Sequence, residues 1–237
     1  MATSILRFEK IKSHTAINFS ESHVYRFSYT PNASPERSQL NRVLIGKSGL
    51  SSRIKSVFDK LNIKPRKNAV LAMDCILSLS NDTFESKEDI DRFCDASKNF
   101  LEETFKGRCV SAVIHLDETT PHIHALILPL EKKDGRWKLN ARDIFNKSTL
   151  SQYQKDFYSY MKLAFPKLSP PMYGSKSRHK KIKSYYEKVN NSTIGFIEDS
   201  ASRREQELLK LINNTKELER TNVKEISNQK KSNKIIL

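Results

Sequence analysis

Residues 115–124 read His115-Leu116-Asp117-Glu118-Thr119-Thr120-Pro121-His122-Ile123-His124, a window holding three of the six histidines in the chain. Apolar residues precede it (Val110, Ala112, Val113, Ile114) and follow it (Ala125, Leu126, Ile127, Leu128). A polar, proline-containing stretch between two apolar runs predicts a β-hairpin. His122 and His124 are two apart on one strand, so their side chains share a face. A turn over about 116–121 places His115 across from His122, where cross-strand Cβ atoms are about 4.5–5.5 Å apart. Three imidazoles then converge as a divalent metal requires. Asp117 and Glu118 fall at the edge of that site, where a carboxylate can ligate the metal or orient a ligating histidine. A single strand histidine is ordinarily a hydrogen-bonded core residue. Three that converge beside an acidic pair point to a metal centre.

The string His122-Ile123-His124 resembles the motif of the HUH endonucleases, which nick single-stranded DNA and remain attached to its 5′ end. The fuller HLDETTPHIH is similar to the MobV class of plasmid mobilisation relaxases, the plasmid recombination (Pre/Mob) enzymes. The resemblance implies a central antiparallel sheet with the motif on a middle strand. It implies Mn²⁺ or Mg²⁺ as cofactor and nicking and strand transfer at an origin of transfer, through a covalent 5′-phosphate intermediate. It also implies plasmid DNA as substrate and a coupling protein of a host conjugation system as partner.

Composition agrees. A formal charge of +15 with a pI near 9.7 favours an acidic polymer as partner. No apolar stretch approaches the eighteen or so residues of a spanning helix, and MATSILRFEKIK carries charge where a signal peptide needs an apolar core. A cytoplasmic protein with no stable membrane span is expected. Cys75, Cys94 and Cys109 lack ligand spacing and are expected to be reduced.

Outward from the hairpin, Leu6 and Phe8 alternate with polar residues as in a strand. Leu50, Ile54, Val57, Phe58 and Leu61 predict an amphipathic helix over roughly 49–62, ended by Pro65. Ala69 to Leu79 reads as a strand, with Asp74 inside it. Ser86 to Asp89 resembles a capping box opening a helix that stops at Gly107. Asp134-Gly135 predicts a turn into a short third strand around Trp137, and Leu150 to Ala164 another helix. The pattern is an α+β sandwich, a mostly antiparallel sheet with helices on one face. Residues 1–190 are expected to form the DNA-nicking domain and 191–237 a charged helical or disordered tail. Lys180, Lys181 and Lys183, beside His179, form a basic cluster suited to phosphate contact.

A nicking enzyme also needs a nucleophile. Ser22-His23-Val24-Tyr25-Arg26 looks like the MobV motif His-Asn-x-Arg, with Val24 in place of asparagine. The match implies His23 as nucleophile and Arg26 as phosphate holder, and Glu118 at the edge of the histidine site is expected as a third catalytic group. Tyr25 and Tyr29 stand close enough in sequence to serve instead. Asn32 to Asn41 resembles the family pattern Asn-x-x-Pro-x-Arg-Ser-x-x-Asn, and Arg37 in it can fork a phosphate. Arg66 lies in another family-like segment, and Asp74 falls where the family has an acidic residue near the metal. Three other readings fit part of the pattern. One is an HUH replication initiator or transposase using a helical tyrosine, for which Tyr153 and Tyr160 are the candidates. Another is a three-histidine metalloenzyme for small molecules, and the last a DNA-binding protein with a structural metal.

Overall fold

The computed structural model describes residues 2–171. In chain order the elements are β1 (Ser4–Ile11), α1 (His14–Val24), a 3-10 turn (Pro35–Leu40), β2 (Arg42–Gly46), α2 (Leu50–Lys60), β3 (Ala72–Leu79), α3 (Lys87–Phe105), β4 (Cys109–His115), β5 (His122–Ile127), β6 (Leu130–Lys133), β7 (Arg136–Leu139), α4 (Ala141–Ile144) and α5 (Lys147–Ala164). Five strands form one antiparallel sheet in the order β1-β3-β5-β4-β2, with β5 in the middle. The fold is α+β, and among the described residues no helix is long and apolar enough to cross a membrane.

Alternation along the strands sorts their side chains. On one face, Leu6, Cys75, Leu77, Ala112, Ile114, Ile123 and Ala125 join Phe93, Phe100, Phe105 and Phe157 of α3 and α5 in the larger core. On the other, Leu126 packs with Ile17 of α1 and Ile54 and Phe58 of α2 in a smaller core. Helices therefore cover both faces, not one as the pattern suggested. The α1–α2 layer covers only part of its face, and the polar histidine patch takes the remainder of β4 and β5.

Local chemistry explains most element ends. Ser86 and Asp89 complete a reciprocal capping box at α3. The α2 helix stops at Lys60, short of Pro65, because Asn62 turns left-handed (φ 54°) and the Ile63 N–H donates to the Phe58 carbonyl at 2.8 Å. Its N-terminus begins at Gly49, which has no capping side chain. Buried Glu21 of α1 caps it instead, accepting from the N–H groups of Gly49 and Leu50. Asp134 and Gly135 both have positive φ, 50° and 74°, as a type I′ turn demands. The hairpin they close is a separate two-stranded ribbon of β6 and β7, not an extension of the main sheet. The edge beyond β4 belongs to β2, which the sequence pattern did not reveal. Cys75, Cys94 and Cys109 are free thiols. The expected boundary at 190 and the tail over 191–237 lie outside the described residues.

Candidate active site

The hairpin has the expected register. His115 stands opposite His122, and Val113 opposite His124. The three rings form a near-equilateral triangle, with centroids 5.1 Å (His115–His122), 5.0 Å (His115–His124) and 5.2 Å (His122–His124) apart.

Each ring is held from behind by an acceptor supplied by a different segment. His115 Nε2 lies 2.9 Å from the Val24 carbonyl, His122 Nδ1 lies 2.9 Å from the Thr120 carbonyl, and His124 Nδ1 lies 3.4 Å from Asp74 Oδ1. A carbonyl or carboxylate only accepts, so those nitrogens carry the protons. The lone pairs left over are on His115 Nδ1, His122 Nε2 and His124 Nε2. His115 is fully buried, and its Nδ1 has no hydrogen-bond partner. A buried imidazole nitrogen without a partner is costly, and a metal ion is the group that would satisfy it. Glu118 Oε1 sits 3.8 Å from His115 Nδ1 and 4.0 Å from His122 Nε2, so an oxygen donor faces the same point. The residues fit a divalent cation. Asp74 has the orienting place behind His124 that a ligating histidine ordinarily requires.

His23 arrives from the last turn of α1. Its ring centroid is 5.5 Å from that of His115 and 5.2 Å from that of His124. One ligating atom each from His23, His115 and His124 lies within 4.8 Å of the others, and the same holds for His115, Glu118 and His122. The α1 helix was not foreseen, because only Ile17, Glu21 and Val24 of its residues are buried. Burial, together with His124 and Arg26, pushes the His23 imidazole down to about 4. Burial and His124 push His115 down to about 2, and the same causes lower His122. These rings are neutral at physiological pH, the state a ligand or a nucleophile needs.

Arg26 follows in the left-handed region (φ 56°), a conformation that costs a non-glycine residue about 1 kcal/mol. Its guanidinium repays this with a fork onto Asp117 (Nε–Oδ2 2.8 Å, Nη2–Oδ1 2.7 Å) and a bond to Glu118 Oε1 at 2.8 Å. Asp117 is fully buried and also accepts from Ser38 Oγ and Asn41 Nδ2, both at 2.8 Å. Its backbone carbonyl takes the Ser34 N–H and Arg37 Nη2. Burial alone would raise this carboxyl, but the Arg26, Ser38 and Asn41 donors outweigh it and hold it well below the carboxylate range. Asp117 therefore neither ligates nor orients a histidine. It is the hub that ties Arg26 and the 34–41 segment to the histidine turn. Ser38 and Asn41 escaped the sequence reading as site residues, although both lie in the Asn32–Asn41 pattern around Arg37.

Other candidates lie apart. The Tyr25 hydroxyl bonds Ser111 Oγ at 2.9 Å, four residues along β4 from His115. Tyr29 is exposed. Tyr153 packs against Phe8 and Phe105 in the main core, and Tyr160 bonds Glu103. Arg66 is in the α2–β3 connection, towards the opposite end of the sheet from His122. Lys180, Lys181, Lys183 and His179 are outside the described residues.

The sequence model of the plasmid recombination enzymes matches residues 1–187. A 65 kDa protein of Zymomonas mobilis is 31% identical over 197 residues, covering 80% of this chain and 33% of that protein. A plasmid recombination enzyme of a Bacillus species is 27% identical over 224 residues, covering 88% of this chain and 52% of that protein. The chain thus spans between a third and about half the length of these curated relatives. Among solved structures, the Mn-bound MobM relaxase domain in complex with plasmid pMV158 oriT DNA superposes with a TM-score of 0.70 at 26% identity, covering 78% of this chain and 98% of that one.

Proposed function

Since the chain belongs to the plasmid recombination enzyme family, we propose that it is a relaxase, a metal-dependent DNA strand transferase that nicks a plasmid at its origin of transfer. The carrying observation is the approach of the neutral His23 ring to within 5.2 Å of His124 and 5.5 Å of His115, beside a buried histidine nitrogen with no partner. The Mn²⁺ and oriT DNA of the MobM complex support the same assignment of cofactor and substrate class.

In this reading His115, His122 and His124 hold one Mn²⁺ or Mg²⁺. When bound there, such a cation would supply Lewis-acid polarisation of the scissile phosphate and charge stabilisation. Val24, Thr120 and Asp74 fix the three rings so that little reorganisation accompanies binding. His23 supplies the lone pair. One His23 nitrogen forms the new P–N bond as the P–O3′ bond breaks; the proton then released from its other nitrogen passes through solvent to the freed 3′ oxygen, giving a 3′-hydroxyl. The protein keeps the 5′ phosphate until a 3′-hydroxyl reverses the step. Arg26, locked by Asp117, presents its charge beside that phosphate, and Glu118 borders both the cation site and Arg26. Tyr25 is committed to Ser111, which favours histidine over tyrosine.

Residues 1–190 form the nicking domain in this proposal, and 191–237 a charged tail. Arg37, Arg66, Lys180, Lys181 and Lys183 are its DNA contacts. The whole acts on plasmid DNA in the cytoplasm with a coupling protein of a host conjugation system. To test it, the full chain is incubated with MnCl₂ and single-stranded DNA, using both the pMV158 oriT sequence and a random pool. Mass spectrometry then maps any DNA-linked residue. A covalent adduct on His23 that requires the metal is expected. No adduct with any DNA defeats the relaxase reading, and an adduct on Tyr25 or Tyr29 that survives His23→Ala defeats the histidine assignment.

A further inference from the structure

A second concave surface lies away from the histidines. The α2–β3 connection and the β6–β7 ribbon enclose a groove of about 680 Å³, lined by Lys64, Arg66, Asn68, Trp137, Arg142 and Asp143 among others. Trp137 is 39% exposed on β7. Among the described residues, Lys64, Arg66 and Arg142 have no acidic partner. Lys138 is paired with Glu131 at 3.3 Å, and Asp143 is engaged by Asn140 at 2.7 Å. Lys64, Arg66 and Arg142 thus outnumber Asp143, the one carboxylate in the lining, and share the groove with a partly exposed indole. That combination suits a ligand that is both anionic and flat.

We propose that this groove binds an unpaired nucleotide of the DNA flanking the nick, with its base stacked on Trp137 and its phosphates on Arg66, Lys64 and Arg142. The inference rests on the relaxase reading and extends it to a second contact remote from the chemistry. The groove lies beyond the Ile127 end of β5, opposite the His122 end, where the chain turns at residues 128–130 into the β6–β7 ribbon. Stacking on an aromatic side chain tolerates any base. The site would fix the path of the strand and leave sequence choice to other contacts.

Trp137 is the single tryptophan of the chain, so its fluorescence reports on this groove directly. The full chain is titrated at low salt with oligothymidylate of sixteen nucleotides, with an abasic oligomer of equal charge, and with a blunt duplex. Binding is followed separately by anisotropy of a label on the DNA. Oligothymidylate should quench Trp137 in step with binding, whereas the abasic oligomer and the duplex bind with little quenching. Trp137→Val should weaken oligothymidylate about tenfold and leave the abasic oligomer unchanged. Arg66→Ala with Arg142→Ala should weaken both and lower the salt dependence of binding. His122→Ala should retain the quenching, since the groove is separate from the metal site. Binding without quenching, or equal quenching by the abasic oligomer, overturns the groove assignment while leaving the relaxase reading intact. Absence of DNA binding by anisotropy overturns both.

Discussion

Asp117→Asn should unfold the region around the active site more than any exposed charge removal nearby. The Asp117 carboxylate is fully buried and accepts four hydrogen bonds. Oδ2 takes Arg26 Nε, Ser38 Oγ and Asn41 Nδ2, and Oδ1 takes Arg26 Nη2. An asparagine that keeps its oxygen at the Oδ2 position must turn its NH₂ towards Arg26 Nη2, donor against donor. It also leaves the guanidinium with Glu118 as its one remaining carboxylate. Removing one member of a buried ion pair costs about 3–5 kcal/mol. Glu118 compensates in part, so the lower end, about 3 kcal/mol, is expected. For a protein of this size that is a fall in Tm of about 6–12 °C. Urea unfolding monitored by Trp137 fluorescence measures it, with Glu118→Gln as the comparison because Glu118 accepts one Arg26 bond and is not fully buried. The pH dependence has a defined sign. The native carboxyl is depressed below its unfolded value of about 3.9. Its stabilisation is therefore present above that value and is lost as pH falls through the lower native one. Wild type should weaken on acidification below about pH 4, and the difference from Asp117→Asn should shrink there. An Asp117→Asn protein within 0.5 kcal/mol of wild type at pH 7 (about a third of one tenfold step), or a Glu118→Gln protein equally destabilised, would refute the hub.

Asp74→Asn, which alters the acceptor behind His124, should weaken Mn²⁺ binding about 10–100-fold by calorimetry with Tm unchanged in the absence of metal. His23→Ala should abolish the covalent adduct while Mn²⁺ still binds, because the His115, His122 and His124 lone pairs remain; loss of metal binding would move His23 into the ligand set. Ser86→Ala deletes the side-chain cap of α3 and should cost about 1 kcal/mol in urea unfolding. Phe100→Ala, at the fully buried junction of α3 and α5, should cost about 3–5 kcal/mol.

The hairpin was readable because two local rules fixed it together. Period-two alternation set the faces, and the polar six-residue turn set the pairing of His115 with His122. The α2, α3 and α5 helices were readable from apolar residues at helical spacing. The α1 helix was not, because it buries little and spends Glu21, a residue that reads as exposed, on capping α2 across space. The edge strand β2 has mostly exposed or half-buried side chains and a register shift between Val43 and Ile45, so it leaves no alternation to find. Asp117 was misread for a related reason. In sequence it stands between His115 and His122, but Ser38, Asn41 and Arg26 reach it from distant segments, and no local pattern records that.

The bond from His115 Nε2 to the Val24 carbonyl joins two roles that chemistry could have kept apart. The same helical turn that carries His23 also steers the ring of His115. A displacement of that turn, such as one imposed by a DNA strand pulling on a covalently held phosphate, would rotate His115 as it moved His23. Linkage is reciprocal, so whatever steadies His115 also steadies the backbone beneath His23. In the proposed reaction, a cation on His115 and a phosphate on His23 would each strengthen the hold on the other.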